Sequence, residues 1–283
     1  MSRPHICFIQ SQCIPWAEPA GSLRWLAAPG VQLKILSIDA DDESVTAVVR
    51  VPAGFQRPWV SNPGRYLEIL MLDGDWTLEE SGRASALLGC HGYLRLAARA
   101  EHGGQLRSRA GALALIMTGP GDPEPPILIQ DTYALPWQHG VAGSVTGKPL
   151  SPDIASKILR RDAASGELSF LYCATPQHPP PAVMPGKFTH PVVEELFTIS
   201  GSYVFGDVGR MSAGGYAFWR EGQWHGPAGS ETGYCLFIRV LGGPLSNQFS
   251  AEPAPFSWRP EYRPNLPPHL QAVAHEVDAG ACW

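Results

Sequence analysis

The strongest constraint on the fold is internal, because the second half of the chain repeats the first. Lys34-Ile35-Leu36-Ser37-Ile38-Asp39-Ala40 returns as Lys157-Ile158-Leu159-Arg160-Arg161-Asp162-Ala163, at an offset of 123 residues. Gly92-Tyr93 and Gly215-Tyr216, His102-Gly103 and His225-Gly226, and Gly119 and Gly242 keep the same offset. Ile14-Pro15-Trp16 is answered by Leu135-Pro136-Trp137. Glu68, followed by five residues and Gly74, is answered by Glu195, followed by five residues and Gly201, with the offset drifted by four as one loop insertion would produce. An ordered series of this kind marks a duplication, with repeats at roughly 10–119 and 131–242.

Each repeat reads as short strands. Val45 to Val51, Tyr66 to Leu72, Leu113 to Met117, Ser169 to Cys173, Leu196 to Ile199 and Cys235 to Val240 are rich in β-branched, aromatic and leucine residues. Asp41-Asp42, Asp73-Gly74, Ser200-Gly201, Gly214-Gly215 and Gly242-Gly243 read as the turns between them. No long segment holds a helical period, and 30 glycines and 28 prolines with only 17% charged residues suit a turn-rich β protein. The expected fold class is all-β: two tandem β-barrel repeats, spanning 1–125 and 126–242, and a proline-rich extension over 243–283 that packs on the body. Pro120 to Pro126 reads as the connector, Pro260 to Pro268 as irregular chain, and His269 to Val277 as a short final helix.

Composition excludes several classes of function. The net charge is −5 and the basic residues are scattered, so no stripe exists to hold a phosphate backbone. No apolar run approaches the ~18 residues that span a bilayer, and the first ten residues carry no signal-peptide core. The expectation is a cytoplasmic protein with a small-molecule substrate, no nucleic-acid or membrane partner, acting as monomer or homodimer. Six cysteines at 7, 13, 90, 173, 235 and 282 include no C-x-x-C pair and read as reduced, mostly buried thiols.

The chemistry concentrates in one segment. His190 is followed after three residues by Glu194, and Glu194 after six residues by Gly201; His225 comes from a later strand. In a barrel the three polar groups can converge, and two imidazoles with one carboxylate are suitable ligands for a divalent ion with positions left open. Glu194 and Glu195 compete for the ligand role, since alternation puts them on opposite faces. The spacing to Gly201 favours Glu194, and the counterpart of Glu195 in the first repeat, Glu68, favours a structural role for Glu195.

These residues resemble the two motifs of the cupin superfamily, similar to His-x-His-x(3,4)-Glu-x(6)-Gly and Pro-x-Gly-x-x-His. The second histidine falls on His190, the glutamate on Glu194 and the late histidine on His225; Phe188 stands at the first histidine and Arg220 at the proline. The chain looks most like bicupins whose modules are similar to the cupin part of zinc anti-sigma factors. The resemblance implies jelly-roll barrels and one metal in the second repeat, with iron(II) ahead of zinc, manganese or nickel. Phe188, Phe197, Tyr216, Phe218 and Trp224 are the expected pocket aromatics, with Trp219 either core or pocket wall. In the first repeat Leu67 replaces the glutamate, Pro63 lies near the histidine position, and His102 is the remnant of a degenerate site. Three readings follow: an iron(II) dioxygenase of small aromatic or diketone-like molecules, a metal-dependent cyclase, isomerase or lyase that needs no oxygen, and a non-catalytic binding or sensor module.

Overall fold

The computed structural model describes residues 2–60, 64–80, 85–97, 103–121, 127–177 and 186–277. His102, His178, Pro63, Cys282 and most of the expected connector lie outside these ranges. The strands run in chain order as β1 (Ile6–Gln10), β2 (Gln32–Ile38), β3 (Val45–Val51), β4 (Phe55–Val60), β5 (Arg65–Gly74), β6 (Trp76–Glu80), β7 (Ala86–Leu88), β8 (Gly92–Leu96), β9 (Gly103–Ser108), β10 (Ala112–Pro120) and β11 (Ile127–Asp131). They continue as β12 (Ile154–Arg161), β13 (Leu168–Ala174), β14 (Phe188–Thr189), β15 (Val193–Phe205), β16 (Gly209–Ser212), β17 (Gly215–Trp219), β18 (Ala228–Gly229), β19 (Tyr234–Leu241) and β20 (Gln248–Phe249).

The chain forms two compact units, one of Met1–Arg3 with Pro15–Leu135, the other of Pro4–Ile14 with Pro136–Trp283. In the first, one antiparallel sheet has the order β11-β8-β5-β10-β3-β2 and a second the order β4-β9-β6-β7. In the other, the main sheet runs β1-β17-β15-β19-β13-β12, with β16 and β18 pairing the far half of β15. The two main sheets match strand for strand, and each takes its edge strand from the segment preceding the other repeat: β11 in the first unit, β1 in the second. The sequence division at 125 therefore differs from the structural one, because an edge strand follows its hydrogen-bonding partner rather than its place in the chain.

Corresponding residues do the same work in both units. β2 and β12 each carry a bulge, at Ile35/Ser37 and Ile158/Arg160. The carboxylates of Asp39 and Asp162 cap the turns that follow, accepting from the amides of Asp41 and Asp42 and of Ala164 and Ser165. The Lys34 ammonium lies 4.7 Å from the Trp16 ring centre, and that of Lys157 lies 4.6 Å from Trp137. Ser200-Gly201 was expected as a turn but lies within the long strand β15, whereas Asp73-Gly74 closes β5 just before β6 begins. Gly74 and Gly201 take φ of 77° and 73°, and a Cβ on either would meet the carbonyl oxygen of Gly111 or Gly233 at 2.0 and 2.1 Å. Only glycine lets the bent strand pass so close to its neighbour.

A buried glutamate anchors each sheet. The Tyr93 hydroxyl donates to Glu68 at 2.7 Å, and that of Tyr216 to Glu195 at 2.6 Å. The neutralising guanidinium comes from different strands: Arg95 on β8 lies 3.5 Å from Glu68, while Arg239 on β19 donates to Glu195 through Nε at 2.8 Å. These groups are almost wholly buried, so each anion depends on neighbours that neutralise it. The interiors are apolar, centred on Val49, Ile69, Trp76, Leu94 and Ile116 in the first unit and on Phe170, Leu196, Trp219, Leu236 and Ile238 in the second.

The tail packs on the second unit: Phe256 and Trp258 meet edge to face at 4.9 Å and lie over Gly229. The expected helix over 269–277 is a single turn, Pro268–Gln271, because no side chain caps it and prolines precede it. The thiols are less buried than expected: Cys13 is buried, Cys7, Cys173 and Cys235 are half-buried, and Cys90 is exposed. No helix of the described residues is long and apolar enough to cross a membrane.

Replacing Glu195 by Ala leaves Arg239 buried without its carboxylate. The expected loss is about 3–5 kcal/mol in urea unfolding, and Glu195→Ala/Arg239→Met should recover most of it. A loss below about 1 kcal/mol would contradict the assigned role.

Candidate metal centre

The pleat of β15 separates the two adjacent glutamates. Glu194 and Leu196 face the interior of the barrel, whereas Glu195 faces the opposite side of the sheet, towards Tyr216 and Arg239. Cross-strand register places Glu194 opposite Trp219 on β17 and Val240 on β19. His190 sits just before β15, and its carbonyl accepts from the Gly222 amide at 2.8 Å. His225 follows the Gly222 turn, and its backbone exchanges two 2.9 Å hydrogen bonds with Phe188. A Cβ on Gly226 would lie 2.5 Å from the Phe188 ring, so this stretch closes tightly over the aromatic side chain.

His190, Glu194 and His225 are all buried, and one donor atom from each lies within 4.8 Å of the others. Glu194 Oε2 is 3.3 Å from His190 Nε2 and 3.6 Å from His225 Nε2. Donors that share one ion at ~2.1 Å in tetrahedral geometry stand ~3.4 Å apart, so these spacings fit. The far ring nitrogens are fixed: His190 Nδ1 is 3.0 Å from the Ser246 carbonyl oxygen, and His225 Nδ1 is 2.9 Å from that of Gln223. A carbonyl can only accept, so each ring carries its proton on Nδ1 when neutral and turns the Nε2 lone pair towards Glu194. Both Nε2 atoms are buried without an aligned hydrogen bond. Two imidazole nitrogens turned towards one buried carboxylate fit a divalent cation.

Charge follows the same pattern. Burial pushes the Glu194 carboxyl up, but the hydrogen bond and charge of His190 and the charge of His225 outweigh it and hold the group below its ordinary range. Burial lowers His190 too, yet Glu194, the Ser246 carbonyl and Asn247 together raise it. In His225 burial dominates and pushes the imidazole down to about 4.

Aromatic rings surround the three residues. Trp219 stacks on His225 at 4.1 Å and 15°, and Phe188 meets His225 edge-on at 4.4 Å and His190 at 5.5 Å. Phe188, at the place of the family's additional histidine, packs against the donors and offers none. His190 and Glu194 open into a cavity of about 290 Å³ walled by Phe170, Phe188, Leu196, Trp219, Leu236 and Ile238. Its polar groups include the phenols of Tyr172, Tyr203 and Tyr234 and the amides of Gln177 and Asn247, and among the described residues no lysine or arginine lines it.

Of the expected pocket residues Phe188 lines this cavity, and Trp219 is wall rather than bystander. Tyr216, Phe218 and Phe197 do not line it. They occupy the positions of β17 and β15 that alternate with Trp219, Ala217, Glu194 and Leu196, and so lie on the other face of the sheet. Trp224 is 46% exposed on the turn before His225 and also stands outside the lining. The three tyrosines were missed. They stand at inward positions of strands that were legible, but only the register reveals that they meet. In the first unit Leu67 pairs with Leu96 where the second unit pairs Glu194 with Trp219, so the equivalent interior is apolar.

In metal-free protein, nitrogen NMR should show the Nδ1-protonated tautomer for neutral His190 and His225. His225 should stay neutral down to about pH 4, and His190 should titrate above the ordinary 6.5. Between pH 6.5 and about 4 the unfolded chain protonates His225 while the folded one does not, so this residue removes stability as pH falls. His190 acts in the opposite sense: its contribution is complete below 6.5 and is lost as pH rises through its folded value. A His225 that titrates at the ordinary value contradicts the burial described.

No protein-family model matches the chain, and no curated protein matches it in sequence. Solved structures do. A "putative dioxygenase" from Nostoc punctiforme superposes with a TM-score of 0.68 at 18% identity, covering 89% of this chain and 92% of that one. Oxalate decarboxylase of Lactobacillus farciminis gives 0.54 at 9% identity, over 86% and 88% of the two chains. Protein Ylba of E. coli gives 0.53 at 14%, over 82% and 92%. At these identities the likeness is one of fold, and with the matching sheets described above it makes this chain a two-repeat protein of the cupin fold.

Proposed function

We propose that this chain is a metal-dependent cupin enzyme with a single centre held by His190, Glu194 and His225, and that it is an iron(II) oxygenase of small aromatic or diketone-like molecules. The observation that carries the reading is the donor set. Two buried imidazole nitrogens without aligned hydrogen bonds converge on a carboxylate, and an aromatic ring replaces the additional ligand. An iron(II) ion in such a set supplies redox chemistry towards dioxygen and keeps coordination positions open to a substrate.

The chain's own residues then bind and orient. Phe188 and Trp219 exclude water from the donors and give a ring a flat surface to pack on. The phenols and amides across the cavity are neutral hydrogen-bonding groups, able to hold one or two substrate oxygens. A lining that carries no lysine or arginine among the described residues suits a neutral or singly ionised molecule better than a dicarboxylate. The likeness in fold to a protein described as a dioxygenase points the same way.

Elemental analysis of protein purified without added metal should find about one iron per chain, lost in His190→Ala and His225→Ala while the fold is retained. Oxygen uptake with a panel of β-diketones and catechols should depend on that iron and disappear in Glu194→Gln. Turnover that consumes no oxygen would move the assignment to a Lewis-acid lyase or isomerase, and tightly held zinc without turnover to a binding module. Wild-type protein that takes up no divalent metal contradicts the reading altogether.

A further inference from the structure

Cys173 on β13 and Cys235 on β19 are directly opposed partners in the antiparallel ladder. Opposed residues in such a ladder have Cα atoms ~4.5 or ~5.5 Å apart, according to the type of pair. Both spacings fall within the ~4.4–6.8 Å that a disulfide spans. The two residues face each other across the ladder and both are half-buried, so a small reagent can reach them. We propose that Cys173 and Cys235 form a reversible cross-strand disulfide, a redox-modification site on the face of the sheet opposite the cavity, with a small-molecule disulfide as the oxidant.

Their environments separate the roles of the two sulfurs. The hydrogen bond from Cys235, against an opposing contribution from burial and with help from the Lys157 charge, lowers the Cys173 thiol; the same hydrogen bond and burial raise Cys235. Lys157 on β12 stands opposite Leu171, on the face of β13 that carries Cys173, and with this ammonium nearby Cys173 acts as the attacking thiolate. It attacks one sulfur of the oxidant, breaks the S–S bond and expels the first small thiol, which takes up the proton that Cys173 gave. Cys235 then loses its proton, attacks the Cys173 sulfur of the mixed disulfide and expels the second small thiol. Two protein thiols are oxidised by two electrons, and one small disulfide is reduced to two thiols.

The alternation of both strands gives the bond a mechanical consequence. Tyr172, Tyr234 and Leu236 are the chain neighbours of the two cysteines, and all three line the cavity. A covalent link between β13 and β19 fixes the separation of the strands that carry this wall. The site does not involve the three candidate metal ligands, so it stands or falls independently of the proposed enzyme activity.

The full-length chain, equilibrated in mixtures of reduced and oxidised glutathione, alkylated and digested without reduction, tests the proposal. The expected result is one cross-linked peptide pair joining Cys173 to Cys235, which grows as the ratio becomes more oxidising and disappears with dithiothreitol. Cys235→Ser should accumulate glutathione on Cys173 instead. Alkylation of both residues at every ratio, or a stable glutathione adduct on Cys173 in the wild-type chain, overturns it.

Discussion

The pleat of one strand decides what this protein can do. β15 carries two consecutive glutamates, and strict alternation sends them to opposite faces. Glu195 meets Tyr216 and Arg239 and becomes a neutralised anchor of the sheet. Glu194 points into the barrel between two histidines whose outer nitrogens are tied to backbone carbonyls. A slip of one residue would exchange their faces and shift each carboxylate one position along the strand, out of register with Arg239 and Tyr216 on one side and with the two histidines on the other. The anchor therefore protects the register on which the candidate centre depends.

The first unit shows the same scaffold without the centre. It retains the anchor as Glu68 and Tyr93, with the arginine moved to β8, and it retains the glycine that bends the central strand. At the inward positions it has Leu67 and Leu96 instead of Glu194 and Trp219. Features that hold a sheet together are under constraint in both copies, whereas buried polar donors are costly wherever nothing neutralises them. An apolar interior in both units, with buried polar donors in the second alone among the described residues, follows from that difference.

Much of the fold was legible because a duplication tests each assignment twice. Trp16 with Lys34, Asp39, and Glu68 with Tyr93 recur with the same partners, and the strand cores fall where the β-branched runs placed them. His190, Glu194 and His225 could be picked out by type and spacing. Three features were less accessible. Gly201 carries the composition of a turn but bends a continuous strand, a distinction set by partners distant in sequence. Tyr216, Phe218 and Trp224 are aromatic neighbours of the right segment, yet face selection depends on register and on the turn before His225. The exchange of β1 and β11 between repeats leaves no local trace, since an edge strand reads the same whichever sheet it joins.

The most direct measurement is an anomalous difference map from crystals of the full chain grown with iron(II) or manganese(II). The account predicts a single strong peak per chain, between His190 Nε2, His225 Nε2 and Glu194, with no peak in the interior of the first unit. A peak in both units, or none near His190 with the three side chains in the positions described, would contradict it.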